Sequence, residues 1–287
     1  MFTFKLENII SNPGLPLAIR EYPQPERIRF HGHDYVEIVL VRQGHACHIM
    51  RQGKKILTHS IIKGDLFTIL PGEVHCYRDC RNFGIYNFCV GTEFLHSLSP
   101  DLDKLADFPA FFQRKRPFLM NQLHLLPMHF LEAESIIKKM KMAMQSTKPS
   151  KLLNVKLRML DFLTAFFDGG ILNWGKSSHK MDEKLFAVIE QMEKNPEPKF
   201  NLSQAAREAC MSSSSFSHKF KATVGMSPVD YHVFLRLEVA KAQLIETTAS
   251  VLDIAINNGF CDDNYFIRLF KKRYGVTPGK YRTLMKA

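Results

Sequence analysis

Asp253-Ile-Ala-Ile-Asn-Asn-Gly-Phe260, continued by Asn264-Tyr-Phe-Ile-Arg-Leu-Phe-Lys-Lys-Arg-Tyr-Gly-Val-Thr-Pro278, decides the architecture, because its landmarks occur twice in the chain. Phe266, Phe270, Lys271, Gly275, Thr277, Pro278 and Tyr281 are answered fifty residues earlier by Phe216, Phe220, Lys221, Gly225, Ser227, Pro228 and Tyr231. Further upstream the offset is forty-nine: Val251, Ala255 and Phe260 answer Leu202, Ala206 and Met211, so one residue is inserted at the central turn. Self-similarity of this kind fixes architecture before any local motif does.

Each unit reads as helix, tight turn, helix. Asn201 with Gln204, and Ser250 with Asp253, supply an N-cap acceptor and a polar N3 partner. The spacing predicts short first helices over Leu202 to Ala209 and Val251 to Asn258. Gly259 suits the left-handed residue that ends the second of these, a conformation that Cys210 at the matching position adopts less comfortably. Ser212 and Asp262 cap second helices that stop at Gly225 and Gly275, and Ser227-Pro228 and Thr277-Pro278 then start new ones.

On the second helices, Phe216 with Phe220 and Phe266 with Phe270 form buried stripes. The opposite faces are polar, with Ser214, Ser217, His218 and Lys221 in the first unit and Asp263, Asn264, Arg268, Lys271 and Lys272 in the second. A short helix packed across a longer one with an exposed hydrogen-bonding face suits a DNA major groove, which displays distinguishable donors and acceptors. One such unit alone reads more simply as solvated faces of a helical bundle; its repetition with both turns intact favours DNA. Between the units, Pro228 to Thr247 reads as one helix of about 20 residues and about 30 Å. That is close to the roughly 34 Å between readers on one face of B-DNA.

At these residues the chain resembles the AraC/XylS family of bacterial transcription regulators, over about one hundred residues. The resemblance implies that both second helices enter successive major grooves, with Ser214, Ser217 and His218 facing bases from the first, and Asp263, Asn264, Ile267 and Arg268 from the second. It also implies dimerisation through helices that follow a sensor domain, contact with RNA polymerase, and activation of a catabolic operon. Two departures stand out: Cys210 replaces a usual glycine, and Cys261 a usual serine. With a serine run from Ser212 to Ser215, the first reader has few long side chains, so Arg268 is expected to make the stronger contact.

The first hundred residues have a β rhythm. Short runs (Ile28 to Phe30, Val36 to Arg42, His45 to Met50, Lys55 to His59, Leu66 to Leu70, Gly84 to Val90) are broken by Gly44, Gly53, Gly64 and Pro71-Gly72, as in a small barrel or sandwich. Strand alternation puts His31, His33, Tyr35 and Glu37 on one face. With Gly44 and Pro71-Gly-Glu-Val-His75, this resembles the two motifs of cupin barrels. In metal-binding cupins the positions of His31, His33, Glu37 and His75 hold a Mn, Fe, Ni or Zn ion; in regulators of this family the same pattern often lines a metal-free organic pocket. The expected effector pocket is therefore His31, His33, Tyr35, Glu37 and His75, with no cofactor as the first reading, a divalent metal as the second and purely structural packing as the third. The run His31-x-His33-Asp-Tyr-Val-Glu37 followed by Gly44 looks most like rhamnose-type sugar regulators.

The expected fold is thus α+β: a cupin-like effector-binding and dimerisation domain over 1–170, a linker over 171–180, and a double helix-turn-helix domain over 181–287. Helical periodicity from about Leu123 to Gly169, carried by Ile136, Ile137, Met140, Met144, Leu152, Leu153, Leu160 and Leu163, serves barrel cover, subunit pairing or both. A formal charge of +11 favours a polyanionic partner. It does not locate the DNA-binding domain, because the residues from Lys180 onward carry only +4, against +7 before them.

Met1 to Ile10 lacks a basic segment followed by an apolar core, and no apolar run reaches the roughly 18 residues of a membrane span. Cytoplasm, no membrane association and reduced thiols are expected. Rival readings are a metal-dependent cupin enzyme fused to a DNA-binding domain, a ligand-independent architectural binder, and a methyl-accepting repair regulator. The last uses a four-cysteine zinc cluster, which the spacing of Cys47, Cys76, Cys80, Cys89, Cys210 and Cys261 argues against; Cys76 with Cys80 is a weak metal pair.

Overall fold

Ile38 and Leu40 are buried on one face of a strand, and Val39 and Val41 on the other. This two-sided burial explains the near-continuous apolar run from Val36 to Val41, since a strand covered on both faces has no solvent side to keep polar. In this computed structural model, which describes residues 2–11, 14–23, 29–52, 55–98, 102–103, 108–112, 122–167, 182–196, 199–260 and 262–286, that strand is the centre of a cupin-like sheet.

The sheet contains β1 (Phe2–Phe4), β2 (Leu17–Pro23), β3 (His31–His33), β4 (Val36–Gln52), β5 (Lys55–Ile62), β6 (Asp65–Ile69), β7 (Val74–Val90) and β8 (Gln122–His124). Its order is β1-β3-β7-β4-β6-β8, with β2 also on β7 and β5 also on β4. Two strands expected on either side of Gly44 are one, β4, seventeen residues long and antiparallel to the equally long β7. Gly44 bends it rather than ending it: the ladder shifts register between Val41 and Cys47, and Gly44 takes φ +65°. A side chain there would meet the Arg81 and Asn82 carbonyl oxygens at 2.2 and 2.3 Å, so no other residue fits. Strands β1, β2 and β8 and the first half of β7 were not expected from the sequence, and Arg29–Phe30, expected in a strand, lie outside one.

One face of the sheet packs Ile38, Leu40, Leu66, Phe88 and Val90 against two helices, α3 (Pro127–Gln145) and α4 (Lys151–Phe167), through Phe130, Ile137, Met140, Met159 and Phe162. Two short helices, α1 (Thr92–His96) and α2 (Phe108–Phe112), add Phe94, Leu95 and Phe111 to this core. The helical apolar stripe read from sequence is therefore divided. Ile137, Met140 and Leu163 are buried under the sheet, whereas Leu152 and Leu153 are exposed, as are Leu157 and Met142.

The chain divides into Met1–Met181 and Asp182–Ala287. The expected linker over 171–180, Trp174 and Cys261 lie outside the described residues. The second unit is all helix: α5 (Glu183–Lys194), α6 (Leu202–Glu208), α7 (Ser213–Val224), α8 (Pro228–Glu246), α9 (Val251–Asn257), α10 (Asp263–Tyr274) and α11 (Pro278–Lys286). Both repeats thus hold a seven-residue and a twelve-residue helix. The expected N-caps form, with Asn201 accepting from the Gln204 amide at 3.0 Å, Ser212 from Ser215 at 3.2 Å, Ser250 from Asp253 at 3.0 Å and Asp262 from Asn264 at 2.9 Å. Gly225 and Gly275 close the second helices in the left-handed conformation. Phe216, Phe220, Phe266 and Phe270 are fully buried.

At the tight turns Gly259 has φ +73° and Cys210 φ +55°. The turn backbone is the same, with the Met211 amide donating to the Ala206 carbonyl at 2.8 Å and Phe260 to Ala255 at 2.9 Å. An L side chain in this region costs on the order of 1 kcal/mol. Cys210→Gly is therefore expected to stabilise the DNA-binding unit by about 1 kcal/mol, seen as a higher denaturant midpoint at unchanged slope. A lower midpoint would show that the contact of Cys210 Sγ with Lys184 Nζ, at 3.0 Å, outweighs the strain.

Candidate nucleic-acid interface and ligand site

Burial of the Phe266 and Phe270 stripe turns the other side of α10 outward. Asn264, Arg268, Lys271 and Lys272 are exposed, and Asp263 and Ile267 half-buried. Ile267 packs against the core of this unit, and the Asp263 carboxylate accepts from the Asn264 amide at 2.8 Å, so both sit at the edge of the reading face. Tyr265, which sequence reasoning missed, is exposed on it with the Arg268 guanidinium 5.5 Å above its ring. A cavity of about 500 Å³ beside the helix is lined by Arg236, Phe260, Asp262, Asn264, Tyr265 and Arg268. In α7, Ser214, His218 and Lys221 are exposed, while Ser217 is half-buried and its hydroxyl donates to the Ser213 carbonyl at 2.8 Å. Lys219 is held by Asp182 at 2.6 Å, which lowers the Asp182 carboxyl pKa against the opposing effect of burial.

Side chains of α8 fix α10 in place. Arg236 donates to the Asn258 carbonyl at 2.5 Å with its guanidinium 4.0 Å over Phe260, and Arg273 pairs with Glu238 at 3.1 Å while covering Phe234. Glu238 also accepts from Tyr274 at 2.8 Å and pairs with Lys241. The basic last turn of α10 therefore splits: Arg273 is structural, and Lys271 and Lys272 face solvent.

In the sheet domain, His33, Glu37 and His75 are buried and meet. Glu37 Oε2 lies 3.8 Å from His33 Nε2 and 3.7 Å from His75 Nε2. The alternation of β4 brings this about, since Glu37 shares a face with Val39 and Val41, the residues of the inner core. Tyr35 joins the group as expected, stacked on His33 with ring centroids 4.6 Å apart. His31 does not enter the triad: its Nδ1 bonds the Arg29 carbonyl at 2.9 Å, and its ring lies against the outside of His75 at 4.3 Å. The expected fourth member is thus corrected, because β3 places His31 one step short of the point at which the other three converge.

Three groups missed from sequence complete the site. Asn87 Nδ2 donates to Glu37 Oε1 at 3.1 Å, His48 Nε2 lies 3.3 Å from His75 Nδ1, and the His59 ring stands 5.3 Å from that of His48. Asn87 was legible as the one strongly polar residue in the Gly84–Val90 run; the histidines were not, because the bulges of β4 obscure which way they point. Burial pushes the imidazole pKa of His33 down against the pull of Glu37, and those of His48 and His75 well down; His59 falls to about 4. Burial, helped by Glu37, pushes the Cys89 thiol up to about 12. At neutral pH the interior thus holds neutral imidazoles and a protonated thiol.

A tandem pair of helix-turn-helix units behind a sheet domain with a buried polar cluster defines a DNA-binding regulator with a sensor. Residues 205–283 match the helix-turn-helix domain family, and residues 12–126 the AraC-like ligand binding domain family. The transcriptional activator RhaR of Mannheimia succiniciproducens is 28% identical over 93% of this chain and 92% of its own length, and RhaS of the same organism 25% identical over 98% and 96%. The bifunctional activator and DNA repair enzyme AdaA of Bacillus subtilis is 37% identical, but over only 34% of this chain and 47% of its own length. The chain belongs to the AraC family of transcription regulators and is a ligand-responsive DNA-binding protein, not an enzyme. Among the described residues, no helix is long and apolar enough to cross a membrane.

Removing the Arg268 side chain is expected to weaken specific DNA binding by about 1 to 3 kcal/mol and to relax preference at one base position. Lys271→Ala should weaken all sequences similarly and lower the salt slope of binding by about one. Binding titrations at several salt concentrations, on the preferred site and on its single-base variants, separate the two; unchanged affinity and base preference would take Arg268 out of the reading set.

Proposed function

We propose that the protein is a homodimeric transcription activator of a catabolic operon, acting in the cytoplasm with RNA polymerase as partner, whose effector is a sugar seated against His33, Tyr35, Glu37 and His75. The observation that carries the reading is this buried polar cluster, set beside the apolar residues of the inner core. Folding gains nothing from burying a carboxylate beside two imidazoles, so the group is better explained by a bound molecule that uses it. Imidazole, carboxylate and amide edges match the hydroxyls of a polyol, and the Tyr35 ring offers it an apolar face. The relatives aligned along nearly their whole length, RhaR and RhaS, are named as activators, which supports the sign of regulation. The exposed Leu152, Leu153 and Leu157 of α4 form an apolar stripe suited to a second protomer.

An effector changes transcription only through a difference in its affinity for the active and inactive arrangements. His33→Ala and Glu37→Ala are therefore expected to leave basal DNA affinity of the full chain near wild type while abolishing its response to sugars, measured by titrating a sugar panel against operator binding and a reporter. A sugar response unchanged in both variants would place the sensing site elsewhere. For the dimer, Leu153→Glu should shift sedimentation towards the monomer and weaken binding to a two-site operator.

A further inference from the structure

The two recognition helices differ at one matched position. Fifty residues separate Lys219 in α7 from Leu269 in α10, and Leu269 packs against the core of its unit. An apolar residue therefore satisfies the fold here, and the lysine needs another explanation.

Lys219 Nζ donates to Asp182 Oδ2 at 2.6 Å, its one hydrogen bond among the described residues. Asp182 is also the N-cap of α5, where Oδ1 accepts from the Leu185 amide at 3.2 Å. Packing does not depend on this ion pair. Leu185, Phe186, Val188 and Met192 bury the inner face of α5, and Tyr231 ties its other end through Glu193. The carboxylate that holds the second recognition helix is set differently: Glu238 pairs with Arg273 and also accepts from Tyr274, with both charged side chains less than one-fifth exposed. Lys219 is 49% exposed. A pair this open contributes little to stability and exchanges readily for another anion.

The position of Lys219 decides which anion. At about 100° per residue along a helix, it falls at the edge of the face that carries Ser214, His218 and Lys221, beside the exposed Ser215 and Ala222. A helix lying in a major groove meets bases with the middle of its outer face and the flanking phosphates with its edges. A free ammonium at that edge neutralises one phosphate. Bound to a carboxylate it does not, and the carboxylate itself repels the backbone.

We propose that Asp182 is a brake on the first reader: it withholds Lys219 from the DNA backbone, and the chain binds DNA more tightly when this ion pair opens. The proposal rests on the DNA-binding role of α7 and is independent of the effector. The brake lies at the residue where the chain enters the DNA-binding unit, so whatever moves the chain there acts on Asp182 first.

Full-length protein is titrated with a mixed-sequence DNA duplex about three helical turns long, at several salt concentrations. Asp182→Asn removes the charge but keeps a good N-cap residue. It should bind about 5- to 10-fold tighter near about 0.1 M salt, with the salt slope steeper by about one. Lys219→Ala alone should keep the wild-type slope, and combining it with Asp182→Asn should abolish the gain. An unchanged or shallower slope in folded Asp182→Asn makes the pair a simple pin of α7 and overturns the brake. A gain that survives Lys219→Ala assigns it to the lost carboxylate charge alone, and a shallower slope in Lys219→Ala shows the lysine already on the DNA; either result also overturns the proposal. Should Asp182→Asn fail to fold, Asp182→Ser, which also caps a helix, carries the same expectations.

Discussion

The antiparallel pairing of β4 with β7 is the constraint on which the sheet domain depends. Two seventeen-residue strands share a ladder that continues through the bend at Gly44. Their register decides which side chains are inside, because successive residues of a strand point to opposite faces. Glu37 sits opposite Cys89, and Val39 opposite Asn87; this places carboxylate and amide on the inner side while Ile38 and Phe88 meet α3 and α4 on the other. A slip of one residue would drive the carboxylate under those helices and turn Ile38 and Leu40 to the inner face. The apolar cover thus enforces the polar geometry, although it touches none of the polar atoms.

The DNA-binding unit solves a different problem, the placing of two short helices. Each recognition helix buries little beyond a stripe of two phenylalanines, joined in α7 by Thr223 and Val224, too little to orient it alone. Orientation of the second comes from α8, through Arg236 on the turn before α10 and Glu238 on its last turn. The first is held differently, by Phe220 packed against the Tyr231 ring of α8 with centroids 5.6 Å apart, while Tyr231 itself donates to Glu193 of α5 at 2.5 Å. Both recognition helices are therefore referenced to one stiff rod of nineteen residues. The two faces remain unequal: α7 offers serines, one imidazole and Lys221, and α10 offers a guanidinium, an amide and two lysines. Shape and phosphate contact suit the first, and base readout the second.

The helical unit was legible in the sequence almost residue by residue because its signals are local. Caps, left-handed turns and aromatic stripes act within a few residues, and their recurrence checks each against a copy. The sheet was legible only in outline. Gly44 looked like the end of a strand because a glycine with positive φ is common at turns; that it bends a continuous strand follows from the approach of Arg81 and Asn82, nearly forty residues away. The site was mis-drawn for the same reason. Alternation along the His31 to Glu37 run put four residues on one face, yet His31 lies in β3 and Glu37 in β4. His48 and Asn87 come from distant stretches whose inward direction depends on bulges and pairing. Local chemistry found the triad, and nonlocal geometry replaced its fourth member.

How the interior of the sheet domain influences DNA is limited by what can move. Inside the DNA-binding unit, buried phenylalanines, a nineteen-residue α8 and charged pins on both sides of α10 hold that helix in place, and packed cores switch between discrete arrangements rather than deform. An effector therefore has little leverage on the spacing of the two readers. Within the sheet domain itself, a path from the polar cluster to the surface is present. Here α3 and α4 matter, since they cover the strands that carry Glu37 and Asn87 on one side and expose Leu152, Leu153 and Leu157 on the other. A change in β4 or β7 reaches the outer helices through Ile38 and Phe88, one residue from Glu37 and Asn87 along the same strands.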